Sequence, residues 1–477
     1  MRATGQRATL PVAVTFASLL LTACAAIAPL PSPEPQACGE RLVQLHQQAT
    51  QAGIADGQEL ALPPYPYLRA NRTLWSLLGQ LDNEHKRREW LDLSAELGAA
   101  ALRSDHANLA SRSDLRALER CLQQQAESLA LVADWPATLA ATPYPSSYRA
   151  ELQALGLYPL TKYLMRLPLQ SLHNELRARY EQGPQLTTRT YQPASPLSLD
   201  QDRVQRWMTS AYRESPLSLP RLSTERQTQL LNHYAPRWQI EQGGSFDRPG
   251  RPYWKEELAM VDSQNPVTYT QAGYTRWQGQ WLLQLSYLVW FSERPSTAWG
   301  DIYAGRLDGL YLRVTLDTEG KPMLLDSIHP CGCYFSVIPL RDDLRLRPDA
   351  ELGEPPLLLP PLAFAAGKRL QVSISSGDHM LIGAQWVDAD LPGSPYLLQP
   401  QNSLRHLANG EGSRSLYSPP YALVHGTQRQ EEILLWPSGI QAPGAMRQWG
   451  HHPIAFSAMR HFDDPDLLIQ LFQPGEP

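Results

Sequence analysis

Residues 280–291, QWLLQLSYLVWF, decide how this chain folds. Read with a period of two, Trp281, Leu283, Leu285, Tyr287, Val289 and Phe291 share one face. Leu282, Leu288 and Trp290 share the other with Gln284 and Ser286. A strand apolar on both faces belongs in the middle of a sheet, with cover on each side. Past a turn-rich connection through Pro295 and Gly300, residues 310–316 alternate cleanly. Leu310, Leu312, Val314 and Leu316 point one way; Tyr311, Arg313 and Thr315 point the other. Asp317-Thr318-Glu319-Gly320 supplies turn chemistry and residues 323–328 return, which predicts a hairpin. The returning strand ends in His329-Pro330-Cys331-Gly332-Cys333. Strand ends on a rigid scaffold are where binding residues concentrate.

Further short strands are expected on either side of this centre. Residues 369–375 and 380–387 read as a hairpin around Ser376-Gly377-Asp378-His379, and residues 421–425 and 432–436 as another. Upstream the pattern is helical. Residues 38–53 carry Leu42, Leu45 and His46 on one side and stop at Gly53. Asn71 or Thr73 is the expected cap of a helix bearing Leu74, Leu77, Leu78 and Leu81. Ser113-Asp114 precedes a helix with Leu115, Leu118, Cys121 and Leu122. More helices are predicted over residues 148–155, 169–180, 200–212 and 223–234. Residues 62–67, LPPYPY, read as an extended loop and residues 184–199 as a linker. The expected class is α+β: a helical region over 38–235, a mainly antiparallel β region over 236–449 forming a sandwich or curved sheet, and a tail from 450.

The first 23 residues have the make-up of a secretion signal. Arg2 and Arg7 precede a mostly apolar run over residues 10–21, too short to span a bilayer as a mature helix. Leu21-Thr22-Ala23-Cys24 then resembles a bacterial lipobox. That resemblance implies lipidation of Cys24, and Ala25 after it implies sorting to the outer membrane. Residues 25–37, with Pro29, Pro31, Pro33 and Pro35, read as a solvated tether. Loss of residues 1–23 leaves 40 basic against 47 acidic residues, a net charge of about −7. That balance gives no basic footprint for nucleic acid. The expected partners are the membrane, through the lipid, and an envelope protein or glycan. The 13 tryptophans and 20 tyrosines are read mainly as core and loop anchors, or else as a platform for sugar rings.

With Cys24 lipidated, four cysteines remain for an oxidising compartment. Cys38 and Cys121 both fall on helices and are the expected pair. Cys331 and Cys333 then either form a tight disulfide around Gly332 or, with His329, provide thiolate and imidazole ligands for zinc or copper. Asp326 and His379, His451, His452 or His461 are candidates to complete a metal site. A carboxylate hydrolase would instead draw on Glu293, Asp301, Asp308 and Asp326. No Gly-x-Ser-x-Gly elbow, phosphate loop or dinucleotide fingerprint is present. A non-catalytic binding or structural role needs none of these sets and is the leading expectation. Residues 290–295 (WFSERP), Leu307-Asp308-Gly309 and residues 329–334 (HPCGCY) resemble a family of uncharacterised proteobacterial lipoproteins. The resemblance extends over most of the mature chain and implies no activity.

Overall fold

The computed structural model describes residues 29–31 and 37–475. The lipobox and most of the tether lie outside the described residues. A helical amino-terminal region is followed by a large, mostly antiparallel, curled sheet, the α+β class expected. Its eleven strands in chain order are β1 (Thr188–Pro193), β2 (Arg237–Glu241), β3 (Val267–Trp277), β4 (Gln280–Arg294), β5 (Gly305–Leu316), β6 (Pro322–Ile328), β7 (Ser336–Pro339), β8 (Leu357–Leu358), β9 (Arg369–Ile374), β10 (Leu381–Val387) and β11 (Ser394–Pro400). Their order across the sheet is β8-β7-β6-β5-β4-β3-β11-β1-β2-β9-β10. Strands β3 to β7 form an antiparallel meander, and β11 pairs in parallel with both β3 and β1.

The two-faced reading of β4 holds: every residue from Trp281 to Phe291 is buried. Leu283, Leu285, Tyr287, Val289 and Phe291 join an inner core with Leu312 and Val314 of β5 and Val372 of β9. Leu282, Leu288 and Trp290 join an outer core with Tyr311, Phe462, Leu467 and Phe472. The expected tail is therefore packed structure, because its apolar side chains cover the outer face. Arg313 also faces outward. It donates to both carboxylate oxygens of Asp326, its cross-strand partner on β6, and to the Phe462 carbonyl, so it pins that cover in place.

The helices divide by the core they serve. Helices Ala37–Gln51, Glu84–Asn108 and Leu115–Ala130 build a core of their own around Leu42, Trp90, Leu118 and Leu122. A Cys38–Cys121 disulfide joins the first to the third, with Cα atoms 5.9 Å apart. Helices Leu169–Gln182, Gln201–Glu214 and Thr224–His233 instead place Leu176, Val204, Met208, Leu230 and Leu231 in the inner core of the sheet. Asn71 is the cap expected, and Asp114, Asp200 and Ser223 cap their helices in the same way, each accepting a backbone N–H of the following turn.

Three expectations are corrected. Residues 62–67 are part of a hairpin, Leu60–Leu62 against Tyr65–Ala70, whose turn is Pro63-Pro64. Residues 184–199 contain β1, paired on both sides, although only Tyr191 and Pro193 of it are buried and no apolar alternation announces it. Residues 421–436 form no hairpin; Glu432–Leu435 is a short helix. Of the two forms expected for the strand-rich part, the curved sheet is the one present, and the other sheets among the described residues are two-stranded. No helix of the described residues is long and apolar enough to cross a membrane.

Candidate functional site

The His329–Cys333 segment closes into a tight loop. The Cys333 carbonyl accepts from the His329 N–H at 3.0 Å, and the His329 carbonyl from the Gly332 N–H at 2.8 Å. Gly332 has φ +93°, and a Cβ there would lie 2.1 Å from the Pro453 carbonyl oxygen, so both conformation and space require glycine. Cys331 and Cys333 are buried free thiols, not the expected disulfide. The loop instead aligns the Cys333 N–H on Cys331 Sγ at 3.3 Å. Hydrogen bonding to Cys331, together with burial, pushes the Cys333 thiol well above its ordinary range. Such thiols are inert rather than nucleophilic.

Beside this loop runs a buried chain of acids and imidazoles. Asp308 stands directly across from Phe291 on the inner face of the sheet. His379 arrives from the β9–β10 turn at the far edge, so the curl of the sheet is what unites them. Its ring stacks on Phe291 at 3.9 Å with planes 4° apart, and its Nδ1 lies 2.8 Å from Asp308 Oδ2. His379 Nε2 is 3.4 Å from Asp247 Oδ1, and His329 Nδ1 is 3.3 Å from Asp308 Oδ1. Burial acts to raise the Asp308 carboxyl, but His329 and His379 outweigh it and hold it well below the usual carboxylate range. Burial acts to lower the His379 imidazole, yet its two carboxylate neighbours leave it above its ordinary value. Asp247 stays low despite burial because His379, the Gly243 and Gly377 N–H groups and the Ser376 hydroxyl all serve it. This network staples the edge turn onto the centre of the sheet. His379 and Asp308 are 0 % and 1 % exposed, which leaves no approach for a substrate.

The other candidates are dispersed. Asp326 is the partner of Arg313. Glu293 is exposed, and Asp301 accepts the Thr297 and Tyr303 N–H groups in its own loop. No facing pair of acids emerges from this set. His451 contacts the Gly57 carbonyl, and His461 Nε2 accepts the Ser147 N–H. Burial and the Arg447 charge push His452 down to about 3. Among the described residues no group of three or more His, Cys, Asp and Glu side chains is arranged to hold a metal ion, so His329, Cys331 and Cys333 do not form the expected ligand set.

An open feature lies elsewhere. A cleft of about 690 Å³ separates the helical region from β3 and β11. Amide side chains of Asn71, Gln227, Asn232, Gln271, Gln399 and Asn402 line it, with Tyr274 and Tyr396. Its charges are matched within the protein: Arg405 pairs with Asp56 and Glu59, and Glu96 with Arg221. The carboxamide oxygens of Gln271 and Gln401 are buried there without a hydrogen-bond partner. Sequence reading missed this set, because its members come from seven stretches between residues 58 and 405 and form no local motif.

Comparison with protein-family models, curated proteins and solved structures finds no match. The chemistry of the cleft and of the loop therefore carries the functional argument by itself.

Proposed function

We propose that this chain is a lipid-anchored envelope protein, held through Cys24 on the periplasmic face of the outer membrane, that binds a neutral glycan in the cleft without transforming it. The observation that carries the reading is the amide lining, whose side chains offer donors and acceptors to ligand hydroxyls. Paired charges favour an uncharged ligand, and tyrosine rings suit sugar faces. The buried Asp–His chain presents no reachable nucleophile or acid, which supports binding over hydrolysis. The anchor rests on the amino-terminal pattern.

Calorimetric titration of the full-length chain with chitotetraose tests the cleft. Saturable binding that Gln271→Leu weakens at least tenfold, with melting temperature unchanged, is expected. No binding, or binding indifferent to Gln271, refutes the reading. Cys24→Ser is expected to move the protein out of the membrane fraction; persistent acylation and anchoring would refute the lipobox.

A further inference from the structure

A second cavity, of about 500 Å³, lies against the His-Pro-Cys-Gly-Cys loop. Its volume is typical of small-molecule sites. Leu169, Leu172, Leu176, Phe335, Leu357 and Ile454 make its walls largely apolar. Several of the charged groups inside are held by neighbours. Arg179 donates to both oxygens of Asp378, at 2.7 and 3.0 Å. Glu354 accepts the Phe456 and Ser457 N–H groups, and Arg460 donates to its carbonyl. Arg294 makes no ion pair among the described residues. Its guanidinium donates to the Tyr334 hydroxyl at 3.3 Å and lies over the rings of Tyr303 and Tyr334, 5.3 and 5.7 Å from their centroids. The Asp308 and Asp378 carboxylates act on Arg294 without an ion-pair contact, and the nearby Glu431 carboxyl is pushed up to about 7, chiefly by burial.

The mouth of this cavity is apolar on the outside as well. Met165 and Leu435 line the cavity from helices Tyr158–Arg166 and Glu432–Leu435. On the same two segments Leu160, Leu164, Leu167, Ile433 and Leu434 are between 63 % and 75 % exposed. The segments are neighbours: Gly156 lies against Pro437, and Gln153 donates to the Ser438 carbonyl at 2.9 Å. Residues 156–174 carry Lys162 and Arg166 and no acid. A continuous exposed apolar patch with basic side chains is the signature of contact with an anionic lipid surface.

We infer that this cavity takes an acidic lipid from a membrane surface, with its hydrocarbon against the leucine walls and its acidic head at Arg294. The patch over Leu160 and Leu164 is where the chain meets that surface. Charge-assisted contact to one guanidinium fixes the head, and the walls select for a long aliphatic chain.

The test uses the full-length chain carrying Cys24→Ser, so that no acyl anchor of its own competes. Calorimetric titration with dodecanoate is expected to give one site per chain. Dodecanol binds at least tenfold more weakly, and inorganic phosphate alone does not bind. Arg294→Gln lowers dodecanoate affinity at least tenfold and leaves dodecanol unchanged, whereas Leu172→Trp fills the cavity and removes both. If Leu172→Trp fails to fold, Met165→Glu at the mouth supplies the same readout. Flotation with phosphatidylglycerol vesicles is expected, and Leu160→Glu with Leu164→Glu abolishes it. The inference is overturned by no dodecanoate binding, by binding indifferent to Arg294 and the wall, by phosphate binding as tightly, or by failure to float with vesicles.

Discussion

Replacing Glu431 with Gln removes a carboxyl that the folded protein holds protonated to about pH 7, against an ordinary value of 4.5. Burial raises it, and Arg294 and Arg429 only partly counter that. The unfolded chain releases this proton near pH 4.5 while the folded chain keeps it. Between those two values the native state therefore binds more protons, and stability falls as pH rises. At about 1.4 kcal/mol per pH unit, the gap of roughly 2.5 units amounts to about 3 kcal/mol. The Gln variant has no proton to lose, so it escapes that decline. Urea unfolding of both proteins from pH 4 to 8 measures it: the variant gains about 3 kcal/mol relative to the parent across the range. His379, also raised, loses its contribution above pH 6.5, but it does so in both proteins and cancels in the difference. A difference curve flat to within 1 kcal/mol would refute the claim that Glu431 is buried beside too little positive charge.

Removing the Cys38–Cys121 bridge with a double alanine substitution opens a loop of 83 residues and is expected to cost about 4 kcal/mol by chain entropy, read from thermal melts under oxidising conditions. Arg313→Met leaves Asp326 buried without its partner and should cost about 3–5 kcal/mol in urea unfolding; Arg313→Met with Asp326→Leu recovers most of it. In the Cys24→Ser chain, thiol titration should find no reactive thiol in the native state and two after unfolding, from Cys331 and Cys333. A count of zero after unfolding would mean that those two are bridged.

What the sequence discloses depends on how locally each feature is encoded. The β4–β6 meander is legible because its apolar pattern and its Asp317–Gly320 turn lie within fifty residues. Helix starts are legible because Asn71, Asp114, Asp200 and Ser223 act within one turn. Strand β1 is not, since Thr188, Arg189, Thr190 and Gln192 are polar and its pairing comes from β2 and β11, far along the chain. The helix Tyr158–Arg166 hides behind Pro159, which sits at its first turn, where proline is tolerated. At the candidate sites, His379 and Asp308 were singled out separately, but nothing local links residues 71 apart. The amides of the cleft are still more dispersed, and uncharged side chains leave no charge pattern to notice.

Strand β11 has a consequence for the order in which the molecule can be assembled. Its first three residues, Ser394 to Tyr396, pair with β1, and its last four, Leu397 to Pro400, pair with β3. It is thus the splice between two half-sheets, β3 to β8 on one side and β1, β2, β9 and β10 on the other, and it is the last of the eleven strands to be synthesised. Contacts between segments so far apart in the chain are slow to form, because loop closure precedes any reward. The halves can form their own ladders early, yet the sheet is joined only after residue 400 has emerged. A polypeptide that reaches its final shape this late remains threadable for most of its synthesis, which is compatible with the export proposed for it.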